Sequence, residues 1–89
     1  MLRRTSPSPI PSMVTVTFAW DADPPQYNVT DYRLYYGYSS GVYTYSVDAF
    51  TNATISVTLS TGATYYFAVM AINSAGEQSP YSNEVQVNE

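Results

Sequence analysis

Eighty-nine residues with neither cysteine nor histidine, three basic against seven acidic side chains and 45% hydrophobic content, leave room for one small domain. Without a thiol or an imidazole, a disulfide scaffold, a zinc centre and Ser-His-Asp or cysteine catalysis are excluded. Arg3 and Arg4 stand at the start, and from Met13 onward seven acids face Arg33 alone, a net charge of −6 that opposes contact with nucleic acid or an anionic membrane surface.

No run approaches the roughly 18 apolar residues of a membrane helix, so membrane insertion is not expected. Met1-Leu2-Arg3-Arg4 has the charge of an export signal's start, but Thr5-Ser6-Pro7-Ser8-Pro9 stands where its apolar stretch would be, and no signal peptide is expected. Residues 1–12 hold three of the six prolines and read as an extended arm or linker, with residues 13–89 as the domain.

From Met13 the composition turns to Val, Thr, Tyr and Phe, and the alternation of apolar with polar side chains predicts strands. Val14, Val16, Phe18 and Trp20 alternate with Thr15, Thr17 and Ala19 before Asp21-Ala22-Asp23-Pro24-Pro25 breaks the pattern. Tyr32, Leu34 and Tyr36 oppose Arg33 and Tyr35, and a loop is expected at Tyr38-Ser39-Ser40-Gly41. Tyr43, Tyr45 and Val47 alternate with Thr44, Ser46 and Asp48; Ile55, Val57 and Leu59 alternate with Ser56 and Thr58. The longest strand sets Tyr65, Phe67, Val69 and Ala71 against Tyr66, Ala68, Met70 and Ile72, with apolar groups on both faces. Asn73 to Pro80 reads as loop, and Val85 and Val87 point inward from a last strand. The turn spacing predicts an all-β antiparallel sandwich, with a core of Val14, Val16, Phe18, Trp20, Tyr32, Leu34, Tyr36, Ile55, Val57, Leu59, Tyr65, Phe67, Val69 and Val85.

The run Leu59-Ser60-Thr61-Gly62-Ala63-Thr64-Tyr65-Tyr66-Phe67-Ala68-Val69-Met70-Ala71-Ile72-Asn73 resembles the signature segment of fibronectin type III domains, where Leu, Gly, Tyr, Ala and Asn recur at these spacings. Trp20, Tyr32-Arg33-Leu34-Tyr35-Tyr36 and Ser82-Asn83-Glu84-Val85 extend the resemblance over nearly all of residues 13–88. It implies an immunoglobulin-like, seven-stranded Greek-key sandwich with three strands in one sheet and four in the other. It further implies structural roles for Trp20, Leu59, Gly62 and Tyr65, the last as a tyrosine corner whose hydroxyl returns to backbone near the preceding turn. Thr61 departs from the family's frequent Pro, and Asn73 to Pro80 lacks the Arg-Gly-Asp triplet of integrin-binding relatives.

Asp21, Asp23, Asp31 and Glu77 are the carboxylates that acid–base chemistry could use, but they sit in or beside loops of a thin sandwich, and catalysis is not expected. Asp21-Ala22-Asp23 reads as an acidic turn rather than a calcium loop, so neither metal nor cofactor is expected. Asn28-Val29-Thr30 and Asn52-Ala53-Thr54 fit the N-glycosylation pattern in a chain where Thr and Asn make chance matches common. Tyr35 and Tyr66, with Met70 and Ile72 along the same outward sheet face, form the candidate binding patch, against the alternative of aromatic pairs that only stabilise the sheet.

The expected function is that of a non-catalytic extracellular, cell-surface or virion module, a spacer or protein-interaction domain. One alternative is a self-assembling subunit, such as a phage decoration, tail or fibre protein or an extracellular filament, joined by the arm or an edge strand. The other is a polysaccharide-binding accessory module that stacks sugars on Tyr27, Tyr38 or Tyr43.

Overall fold

The computed structural model describes residues 2–10 (4–10 by backbone alone), 13–21 and 27–88. The strands are β1 (Arg3–Ile10), β2 (Met13–Ala19), β3 (Val29–Gly37), β4 (Tyr45–Phe50), β5 (Thr54–Ser60), β6 (Thr64–Asn73) and β7 (Val85–Asn88). They form two antiparallel sheets, ordered β1-β2-β5 and β4-β3-β6-β7. The predicted break at Asp23-Pro24-Pro25, and Pro11 and Ser12 of the predicted arm, lie outside the described residues.

The N-terminal segment corrects the sequence reading. Arg3–Ile10 is extended, as its prolines require, but it pairs with β2 instead of standing free as a linker. The register explains why prolines are tolerated there. The Trp20 N–H donates to the Ala53 carbonyl at 3.0 Å, in line with the pairs Phe18/Ile55, Val16/Val57 and Val14/Leu59. Because backbone groups of alternate residues point to opposite sides of a strand, Val14 and Val16 bond toward β5, while Thr15 and Thr17 bond toward β1. Their partners on β1 are Ser8 and Ser6, which leaves Pro7 and Pro9, opposite Val16 and Val14, facing the outer edge. Proline's missing N–H costs nothing in that position.

The two sheets share one core, the layering of a β-sandwich. Val14, Val16 and Phe18 from β2 and Leu59 from β5 meet Tyr32 and Leu34 from β3 and Phe67 and Val69 from β6, and Trp20 and Tyr65 are buried with them. Phe18 and Phe67 bridge the sheets with ring centroids 4.3 Å apart, and Trp20 lies on Tyr32 at 5.7 Å. Burial of each large side chain contributes about 1.5–3 kcal/mol. Tyr36, Ile55, Val57 and Val85, expected within the core, are only partly buried, while Leu2, Ala49, Ala71 and Val87 complete it. Leu2 is the surprise among these: it is 1% exposed, within a segment read as an extended arm or linker.

Gly62, in the turn between β5 and β6, has φ of 86°, a left-handed conformation that side chains disfavour. Across this turn the Tyr65 hydroxyl donates to the Ser60 carbonyl at 3.0 Å.

Candidate functional site

On the outer face of the larger sheet, register sets Tyr35 opposite Ala68, Arg33 opposite Met70 and Tyr66 opposite Gln86. The candidate patch is not an open surface. Met70 is 8% exposed, and Tyr35, Tyr66 and Ile72 are only half-buried. The segment between β6 and β7 covers part of this face. Ser79 and Ser82 use both backbone and side chain to grip β6: their N–H groups donate to the Ala71 and Val69 carbonyls at 2.9 and 2.8 Å, and their hydroxyls accept from the Ala71 and Val69 N–H groups, both at 2.9 Å. Tyr81 is thereby laid edge-on against Tyr35 at 5.2 Å and Tyr43 at 4.9 Å. Alternation offers no signal for this arrangement, because Ser side chains replace strand backbone as partners.

Glu84 fastens the β3–β4 loop to the same segment. Its carboxylate accepts from Ser40 Oγ at 2.6 Å, the Gly41 N–H at 2.9 Å and the Tyr43 hydroxyl at 2.9 Å. Hydrogen bonds from Ser40, Gly41 and Tyr43 favour the ionised form and hold the Glu84 carboxyl below its ordinary range. Burial, with the adjoining carboxylate second, pushes the Tyr43 phenol up to about 12. The loop is closed further by the Val42 N–H donating to the Ser39 carbonyl at 3.0 Å.

The opposite side of this loop carries the exposed aromatic surface. Five rings form a closed circuit. Phe67 packs on Tyr36 at 5.2 Å, Tyr36 on Tyr45 at 5.3 Å, Tyr45 on Tyr38 at 6.2 Å, Tyr38 on Tyr65 at 5.2 Å, and Tyr65 on Phe67 at 6.2 Å. Phe67 and Tyr65 are buried, whereas Tyr38 and Tyr45 are 55% and 46% exposed, and Val42 in the same loop is 59% exposed. Sequence alternation places Tyr36 and Tyr45 on the inward side. It has no means of showing that the inner row of rings continues out to the surface at Tyr38.

The described carboxylates are each engaged differently. Asp21 lies 3.7 Å from Arg3, and Glu77 accepts from Asn73 Nδ2 at 2.9 Å. Arg33 bridges Asp31 at 3.5 Å and Asp48 at 3.8 Å. Burial, followed by the proximity of Asp48, raises the Asp31 carboxyl, whereas hydrogen bonds from Asp31 and from the Phe50 N–H lower Asp48. Ala22 and Asp23 of the acidic turn lie outside the described residues. Among the described residues no group of three or more acids could hold a metal ion, and no helix is long and apolar enough to cross a membrane. Asn28 and Asn52 of the two glycosylation patterns are exposed. An open groove of about 370 Å³ runs between Tyr27 and the Asn73–Ser79 loop. That loop is ordered by Asn73 Oδ1, which accepts from the Ala75 and Glu77 N–H groups.

Comparison of the chain with models of protein families finds no match, and comparison with curated proteins finds none either.

Proposed function

We propose that the chain is a non-catalytic module of the fibronectin type III kind, seven strands in Greek-key connection, that works outside the cell or on a cell surface or virion as a spacer and protein-interaction domain. The bond from the Tyr65 hydroxyl to Ser60 and the burial of Trp20 against Tyr32 support the family reading. The interaction reading rests on the closed circuit of rings, which holds Tyr38 and Tyr45 from beneath while leaving about half of each exposed. Rigid tyrosines contribute large contact area with little entropy to lose, which suits them to the centre of a protein interface. The rings of Tyr38 and Tyr45 meet at 88°, so they offer no flat double platform for successive sugar units, and a protein partner fits this surface better than a polysaccharide.

A photoreactive residue in place of Val42, installed in the producing organism, is expected to trap one discrete protein, while the same group in place of the exposed Ala75, on neither the ring surface nor a sheet edge, traps none. Combining the probe with Tyr38→Ser and Tyr45→Ser should abolish trapping without unfolding the chain. Equal trapping from both positions, or trapping that survives the double substitution in a folded chain, overturns the reading.

A further inference from the structure

Among the described residues four strands border the two sheets, and three of them are defended against pairing with another chain. On β1, Pro7 and Pro9 remove donors from the outer edge, and the register slips between Arg4 and Ser6. β4 carries Asp48 and a register shift, and β7 spans only Val85–Asn88. β5 has none of these devices. Its seven residues pair with β2 in unbroken register, and they contain no proline, glycine or charge.

We propose that the free edge of β5 pairs antiparallel with β5 of a second copy, joining two three-stranded sheets into one. This pairing needs only the sheet edges and is independent of the module's family and of its tyrosine surface. It follows from the symmetry of the segment. Thr54-Ile55-Ser56-Val57-Thr58-Leu59-Ser60 reads nearly the same in both directions about Val57. An antiparallel copy centred on that residue sets Thr54 opposite Ser60, Ile55 opposite Leu59, Ser56 opposite Thr58 and Val57 opposite itself. Hydroxyls meet hydroxyls on one face and aliphatic groups meet on the other.

The backbone has the matching parity. Ile55, Val57 and Leu59 direct their N–H and carbonyl groups to β2, so those of Ser56 and Thr58 point outward. In the symmetric register these outward groups face one another, as hydrogen bonding requires. The outer face already carries a row of hydroxyl pairs, Thr15 with Thr58 at 3.2 Å and Thr17 with Ser56 at 2.8 Å, which the junction would continue.

Charge selects the same place. No acidic or basic residue lies between Asp48 and Glu77, so two copies of an otherwise acidic body meet there without like charges opposed. Ile55 and Val57 are only partly buried within one copy and gain cover from the second. Seven paired residues make a small contact, so the dimer is reversible and concentration-dependent.

Sedimentation and light scattering of the full chain over rising concentration should show conversion toward twice the 9.9 kDa mass. Amide exchange at Ser56 and Thr58 should slow over the same range. Val57→Cys, the only thiol in the chain, should form a disulfide-linked dimer under mild oxidation, because the two residues at the axis face each other across a narrow pair. Thr58→Pro deletes an outward N–H, and Ser56→Glu with Thr58→Glu sets acids opposite acids. Both should give monomers that keep a cooperative melt. A chain that remains monomeric at every concentration, with Ser56 and Thr58 exchanging freely, overturns the proposal, as does a dimer that persists in both folded variants.

Discussion

The side-chain amide of Asn83 holds both backbone groups of Leu2: its Oδ1 accepts from the Leu2 N–H at 3.0 Å and its Nδ2 donates to the Leu2 carbonyl at 3.2 Å. One amide thus replaces a strand partner, pinning the start of β1 to the stretch before β7 while the Leu2 side chain enters the core. Leu2→Ala should cost about 2–5 kcal/mol of unfolding free energy, and Asn83→Ala about 1–2 kcal/mol for the lost pair of bonds. Urea denaturation of both variants checks this; an unchanged midpoint for Leu2→Ala would mean the segment is a dispensable arm after all.

Tyr65 separates two contributions. Tyr65→Phe keeps the ring in its circuit and removes only the bond to Ser60, so a loss of about 1 kcal/mol is expected in a thermal or urea melt. Tyr65→Ala also empties a buried site and unsupports Tyr38, and should cost about 3–5 kcal/mol. Equal losses from the two substitutions would show that the ring contributes nothing.

Gly37 is required by a close approach. A methyl group there would strike the Val42 carbonyl oxygen. Gly37→Ala should cost about 1–3 kcal/mol and displace the β3–β4 loop, visible as shifts of the Tyr38 and Val42 resonances. A stable variant with unshifted loop resonances would contradict the packing.

The Glu84 carboxyl titrates lower in the folded chain than unfolded, so its stabilising effect is complete above the unfolded value of about 4.3 and is lost as pH falls through the folded value. Asp31, raised in the folded chain, acts in the opposite sense: its burden at neutral pH is relieved on acidification. Glu84→Gln should therefore lower Tm at pH 7, with the gap from the parent chain closing as the pH drops below about 4. A gap independent of pH would show that the Glu84 charge takes no part in holding the loop.

Strand alternation made most of the core legible: Val14, Val16, Phe18, Tyr32, Leu34, Leu59 and Phe67 are all buried. β1 was illegible because proline's cost in a strand depends on which side its nitrogen faces, and that parity exists only once β2 and β5 are in register. The partial cover of the outer patch was hidden for a related reason. Tyr35, Tyr66, Met70 and Ile72 do not point into the sandwich, but Ser79 and Ser82 draw Tyr81 across part of that face through side-chain bonds with no periodic trace in the sequence. Glu84 was equally hidden, since its donors come from a loop some forty residues away. The exposed surface at Tyr38 and Tyr45 arises just after β3 ends and where β4 begins, a boundary composition does not mark.

Two exposed tyrosines stand on buried ones only while the aromatic circuit is fixed. A nuclear Overhauser spectrum of the labelled full chain tests it directly. Cross-peaks from the Tyr38 ring to both Tyr65 and Tyr45 are expected, at strengths matching centroid separations of 5.2 and 6.2 Å. A Tyr38 ring with no contact to Tyr65, and with the averaged shifts of a free side chain, would contradict it.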